Sequence, residues 1–257
     1  MLNILAIGNS FSQDATRFLH QTAAASGIDT KVVNLYIGAC SLERHWGNIE
    51  SGKREYQYQL NGMITERQVS IEEVLSEEKW DYIITQQVSQ SSGWADTYEP
   101  FLGLMTGYLK EKAPDAELLL HETWAYEEDS QHPGFVRYNR SQKEMFERLN
   151  SCYSRMADKY GLRLIPSGEI IQSIRSKPKF SVNEGGLSLC RDGFHMSLLY
   201  GRYLLACIWL KYLTGIKVID NTYVPETVES ADKADIGLIM TLREYVDEWF
   251  GIPERSM

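Results

Sequence analysis

The chain reads as a three-layer α/β/α protein with a five-stranded parallel sheet, and three observations carry that reading. Short apolar runs of strand length alternate with longer amphipathic stretches of helix length. The runs are apolar on both faces, as in Leu2-Asn3-Ile4-Leu5-Ala6-Ile7 and Tyr82-Ile83-Ile84-Thr85, which suits parallel strands covered from both sides. Gly8, Gly38 and Pro166 close three of these runs, where a strand must give way to a turn.

Taken in order, residues 2–7 form the first strand, and residues 15–26 a helix stopped by Gly27. Residues 31–37 are the second strand. Alternation over 56–69 around Asn61-Gly62 predicts a β-hairpin, because Asn-Gly favours a type I′ turn; it reads as a small insertion over about 54–70. Residues 71–78 are a short helix, 80–85 the third strand and 99–112 a helix ended by Ala113-Pro114. Residues 117–121 are the fourth strand. A long amphipathic helix covers 141–160, with Gly161 just past its end, and 162–165 are the fifth strand. Residues 198–213 and 234–250 are two closing helices. No repeat, low-complexity tract or linker interrupts the pattern, so one domain over residues 1–257 is expected.

Composition narrows the function classes. Hydrophobic residues at 43% and charged residues at 24% are ordinary for a globular protein. A net charge of −9 repels phosphate backbones, so nucleic acid is not expected as a partner. The four cysteines form no CxxC pair, and no histidines or carboxylates recur at metal-ligand spacing, so no metal and no cofactor are expected. No apolar run reaches the length of a membrane span. No charged leader with an apolar h-region precedes the first strand, which predicts a cytoplasmic protein by default, periplasmic or secreted if a leader was removed. Oligomeric state is not encoded in any pattern seen here.

Ligands of open parallel sheets bind at the carboxyl ends of the strands, so the reactive residues just past those ends matter most. Ser10 follows the first strand in Gly8-Asn9-Ser10-Phe11-Ser12. Alone, such a serine is a helix cap, but Ser12 is the better placed cap and leaves Ser10 free. A serine nucleophile needs a base. His195, three residues after Asp192, can share one turn with that carboxylate, which would hold one ring nitrogen while the other faces the serine. Asp192-Gly193 alone reads as a turn, and a lone histidine as a core or cap residue. Together with the serine, they read as a triad. The other histidines compete poorly: His20 lies in a helix, His45 in a polar loop, His121 at a strand end and His132 in a His-Pro-Gly turn.

These residues resemble the SGNH (GDSL-like) hydrolase superfamily. Gly8-Asn9-Ser10-Phe11-Ser12 resembles its first block, Gly38 the glycine of the second, and Asp192-Gly193-Phe194-His195 the closing Asp-x-x-His pair. The resemblance spans nearly the whole chain and implies a flavodoxin-like three-layer fold. The third block departs, since Gln86-Gln87-Val88-Ser89-Gln90 stands where the superfamily has Gly-x-Asn-Asp. A branch of unknown function shares Gln-Gln-x-Ser, Thr-Trp-Ala-Tyr (here 123–126) and Asp-Gly-Phe-His. The resemblance implies a Ser10–His195–Asp192 esterase whose oxyanion is held by the Ser10 and Gly38 N–H groups and by the Gln87 side chain, with Gln86 and Gln90 left open for that last role. Trp124, Gln86 and Trp94 are expected to touch substrate, an acylated carbohydrate or other small-molecule ester, because aromatic faces stack on sugar rings. Arg191 is a candidate for meeting an anionic sugar. The rival reading is a carbohydrate-binding module on a degenerate hydrolase fold.

Overall fold

The computed structural model describes residues 1–227 and 233–252. Its sheet comprises β1 (Leu2–Gly8), β2 (Thr30–Tyr36), β3 (Tyr56–Leu60), β4 (Met63–Val69), β5 (Tyr82–Thr85), β6 (Glu117–His121) and β7 (Arg163–Ile165), in the order β4-β3-β2-β1-β5-β6-β7. The five strands β2-β1-β5-β6-β7 are mutually parallel and are the five that the apolar runs predict. The count of five is nevertheless corrected to seven. The hairpin pairs antiparallel with β2 through β3 and continues the sheet rather than standing beside it.

The physical reason lies in the turn. Asn61 and Gly62 adopt φ of 52° and 81°, as a type I′ turn requires. Asn61 then exchanges two bonds with Val32: its Oδ1 accepts from Val32 N–H at 2.9 Å, and its own N–H donates to Val32 O at 2.7 Å. A Cβ on Gly62 would come 2.0 Å from the Arg17 carbonyl oxygen, so only glycine lets the turn dock there.

The helices are α1 (Ser10–Thr16), α2 (Leu19–Ala25), α3 (Leu42–Ser51), α4 (Ile71–Glu77), α5 (Phe101–Lys112), α6 (Gln142–Tyr160), α7 (Ser167–Arg175), α8 (Tyr200–Thr214) and α9 (Ile236–Phe250). From β1 the chain passes through α1 and α2 to β2 on one side, and from β5 through α5 to β6 on the other. Right-handed crossovers in opposite directions place the two helical layers on opposite faces of the sheet. The helix expected over 15–26 is two short ones, α1 beginning directly at Ser10. Two helices lie outside the sequence pattern. Helix α3 reads as a polar loop because its core face is only Leu42, His45 and Asn48, yet Ser41 caps its start and Gly52, at φ 61°, ends it. Helix α7 starts on a buried carboxylate, Glu122, whose Oε2 accepts from Glu169 N–H at 2.9 Å. Helix α8 is buried almost all round, from Gly201 to Leu210, and forms the centre of its layer. No described helix is long and apolar enough to cross a membrane.

Two histidines sit inside this core. Burial, reinforced by Arg44, lowers the pKa of His45 to about 3, and burial lowers that of His121 to about 3. Both are therefore neutral in the folded protein but take up a proton near pH 6.5 once unfolded. As pH falls below 6.5 the unfolded chain gains protons first, so stability declines down to about pH 3. Each histidine should contribute a slope of about 1.4 kcal/mol per pH unit in that window. Burial also pushes the Glu122 carboxyl up to about 8, which favours the fold as pH falls and offsets one of the two histidine slopes above about pH 4.5. Thermal unfolding followed from about pH 6 to about pH 5 is therefore expected to show a falling Tm with the net slope of about one histidine; a flat or rising profile contradicts the neutral, buried state of both rings.

Candidate active site

The position of Ser10 follows from what surrounds it. Gly8 ends β1 with no room for a side chain: a Cβ there would lie 2.5 Å from Ser12 Oγ. Asn9, in extended backbone, is the cap of α1, and its Oδ1 accepts the Phe11 N–H at 3.1 Å. Ser12 is not the cap; its hydroxyl donates to Asn9 O and Asn34 Oδ1. Asn9 is itself held from two sides. Its Nδ2 donates to the Cys40 carbonyl at 3.0 Å, and Gln86 Nε2 donates to its Oδ1 at 2.9 Å. Gln86 Oε1 accepts from His121 Nδ1 at 2.6 Å, and His121 Nε2 meets Ser167 Oγ at 3.1 Å. Because Gln86 spends its amine on Asn9, His121 must carry its proton on Nδ1 and accept from the Ser167 hydroxyl. The loops after β1, β2, β5 and β6 are thus tied into one frame. Ser10 occupies the first helical position, where an N–H has no intrahelical acceptor.

The structure brings Ser10, His195 and Asp192 into contact. His195 Nε2 lies 2.8 Å from Ser10 Oγ, and His195 Nδ1 lies 2.7 Å from Asp192 Oδ2. Asp192 Oδ1 accepts the N–H groups of His195 at 2.8 Å and Phe194 at 3.2 Å, folding its side chain over its own turn. Burial works to raise the Asp192 carboxyl pKa, but the bonds from the His195 ring and the two N–H groups outweigh it and hold the group below its usual range. The arrangement leaves His195 with Nδ1 protonated and Nε2 ready to accept the Ser10 proton.

What holds this turn against α1 is Asp14, fully buried, which the sequence reading did not single out. Its carboxylate accepts from Arg202 Nε at 2.8 Å, from Arg191 Nη1 at 3.1 Å and from Met196 N–H at 2.9 Å. Arg191 thus meets an internal carboxylate rather than an anionic sugar. Gly193, at φ 83°, packs so closely on the next loop that a Cβ would stand 2.8 Å from Ser130 Cα. Glu127 N–H donates to Gly193 O at 2.8 Å and Trp124 Nε1 to Phe194 O at 2.7 Å.

Ser10 and His195 open into a cleft of about 340 Å³, lined also by Tyr36 at the end of β2, Gly38 and Ala39 after it, Val88 and Gln90 after β5, and by His132 and Phe194. Four expected site residues need correction. The Gln87 side chain is turned away: its Oε1 accepts from Leu42 and Val88 N–H, and its Nε2 donates to Thr97 O at 2.7 Å. A buried amide with both ends satisfied by the fold has nothing left for an oxyanion. Gln86 is likewise consumed between Asn9 and His121. Trp124 is fully buried, stacked on Phe11 with ring centroids 4.1 Å apart, and supports the site from beneath. Trp94 lies outside the cleft, with Arg137 and Arg148 each within 5 Å of its ring. Two cleft residues that the sequence reading passed over are His132 and Phe194. A larger cleft of about 590 Å³ near the start of β7, at the other end of the sheet, is lined by Asp158, Arg163, Lys211 and Tyr212 but, among the described residues, by no histidine or cysteine. Among the described residues no cluster of His, Cys, Asp and Glu is placed to hold a metal ion.

Two substitutions separate framework from chemistry. Asp14→Ala removes the buried carboxylate that Arg202, Arg191 and the Met196 N–H share and should cost about 3–5 kcal/mol, read by denaturant unfolding, with a loss of serine reactivity as the 191–196 turn loosens. Gln87→Ala strands two N–H groups and should cost about 1–3 kcal/mol. Its activity per folded molecule should fall less than tenfold, well short of the roughly 10²–10³-fold expected for an oxyanion donor; a loss of that larger size with unchanged Tm contradicts the framework role.

The comparisons agree with this architecture. A family model described as "Domain of unknown function (DUF4886)" matches residues 3–237. A crystal structure of a DUF4886 family protein from Bacteroides uniformis is 35% identical, with a TM-score of 0.87, over 98% of this chain and 96% of that one. A protein assigned to the SGNH hydrolases from Slackia heliotrinireducens is 19% identical with a TM-score of 0.57, covering 82% of this chain and 98% of that one. An acetyl xylan esterase is 15% identical with a TM-score of 0.57, covering 82% of this chain and all of that one, at 100%. No curated protein matches the chain. The likeness to the last two structures is one of fold, which is the SGNH-hydrolase fold; by both its sequence model and its nearly full-length likeness to the Bacteroides protein, this chain belongs to the DUF4886 family.

Proposed function

We propose that the protein is a serine esterase that cleaves a short acyl group, such as acetyl, from a carbohydrate or similar small-molecule ester. The observation that carries this reading is the 2.8 Å contact between Ser10 Oγ and His195 Nε2, with Asp192 at 2.7 Å behind the ring, at the mouth of a cleft. His195 takes the Ser10 proton as Oγ attacks the ester carbonyl. The tetrahedral oxyanion is received by the N–H groups of Ser10 and Gly38. His195 then passes its proton to the leaving alcohol oxygen, and water repeats the sequence on the acyl-enzyme, freeing the acid and restoring the serine. Asp192 stays ionised throughout and stabilises the imidazolium. The modest cleft volume favours short acyl chains, and the acetyl xylan esterase of like fold supports the same substrate class.

A panel of p-nitrophenyl acetate, butyrate and octanoate together with acetylated sugars tests the reading. Hydrolysis should be fastest on the short esters and should fall by several orders of magnitude in kcat for Ser10→Ala or His195→Ala. Activity that survives Ser10→Ala, or no hydrolysis of any ester by the wild type, contradicts it.

A further inference from the structure

The mechanism fixes which side of the cleft each half of the ester occupies. The oxyanion must sit against the Ser10 and Gly38 N–H groups, whereas the leaving oxygen must lie within reach of His195 Nε2, the atom that returns its proton. The alcohol half therefore extends over the wall that continues from His195. That wall is Phe194, whose ring centroid is 4.0 Å from that of His195, followed by His132, 4.7 Å further on.

His132 is fixed in one chemical form. Its Nδ1 accepts the Gly134 N–H at 3.0 Å, so the ring proton resides on Nε2. Protonating Nδ1 would set two donors against each other. Burial, helped by the nearby His195, lowers the His132 pKa in the same sense, keeping the ring neutral. Tyr126 packs against its other side, 4.8 Å between centroids, and the His132 N–H donates to Ser130 Oγ in the loop that lies on Gly193. Gln90 stands beside it, its Oε1 3.1 Å from where a Gly134 Cβ would be. Among the described residues no lysine, arginine, aspartate or glutamate lines the cleft.

We infer that Phe194, His132 and Gln90 form the alcohol subsite of this enzyme, built for an uncharged polyhydroxylated ring: the sugar face rests on Phe194 while the His132 Nε2–H and the Gln90 amide bind its hydroxyls. An aromatic face suits the C–H side of a pyranose, and fixed neutral donors and acceptors suit hydroxyls rather than carboxylates or phosphates. His132 is on this account a specificity-determining residue that takes no part in bond breaking.

The assignment rests on the esterase reading and is tested separately from it. His132→Phe keeps a ring against Phe194 and Tyr126 but removes the donor. The readout is the ratio of kcat/KM on an acetylated methyl pyranoside to kcat/KM on p-nitrophenyl acetate, whose leaving group has no hydroxyl to spare. That ratio should fall about five- to tenfold, mainly through KM for the sugar ester, as expected for one lost neutral hydrogen bond. Gln90→Leu should lower the same ratio, and carries the test if His132→Phe does not fold. A ratio unchanged in both variants, with the wild type cleaving both esters, overturns the subsite alone. A wild type that cleaves neither ester overturns the esterase reading and the subsite with it.

Discussion

A carboxylate with no access to water, Asp14, sets the geometry of the site. Ser10 and His195, 185 residues apart in the sequence, meet because Asp14, four residues after Ser10 in the first helix, binds both flanks of the turn that carries His195. Arg202 at the start of α8 adds the compensating charge. Buried charges are costly unless fully paired, and their pairs are directional, so such a cluster specifies register more than it adds stability. Here the register it specifies is that of an imidazole over a hydroxyl. Hydrophobic packing alone would allow the 191–196 turn to slide; a carboxylate that must satisfy two guanidinium groups and an N–H does not.

A second, neutral chain of bonds does the same work on the opposite side of Ser10. Ser167, His121, Gln86 and Asn9 connect α7, β6, the loop after β5 and the cap of α1. Each member has its donor and acceptor assigned by the next, so one tautomer of His121 is required for all of them. The unusual third block of this sequence gains a physical explanation from those bonds. Gln86 and Gln87 are structural, the first orienting the cap that presents Ser10, the second pinning α3 and the 94–97 segment to the sheet end. A block whose side chains serve the frame leaves the cleft wall to Val88 and Gln90.

The parallel sheet was legible in the sequence because strands buried on both faces are apolar throughout, as in Leu118-Leu119-Leu120. The hairpin was legible from Asn61-Gly62, but its union with the sheet depends on Asn61 reaching Val32, a contact between distant residues that no local pattern records. Helix α3 escaped because its buried face is largely polar: His45 and Asn48 stand beside Leu42, and His45 bonds to Tyr56 and Cys40, so no apolar stripe marks the helix. The pointers to Ser10, Asp192 and His195 came from strand-end position and short motifs. The roles expected of Gln87, Trp124 and Trp94 rested on residue type, and type does not tell which way a side chain faces. His132 was set aside as a turn residue; that it also lines the cleft follows from a loop folding back over Gly193.

The central claim is that Ser10 is a nucleophile activated by His195. Intact-protein mass spectrometry after exposure to a fluorophosphonate, with peptide mapping of the adduct, tests it most directly. One phosphonyl group on Ser10 in the wild type, and none in His195→Ala under the same conditions, is the predicted result. An unmodified wild type beside a fully labelled control esterase, or an adduct on any residue other than Ser10, would contradict the account.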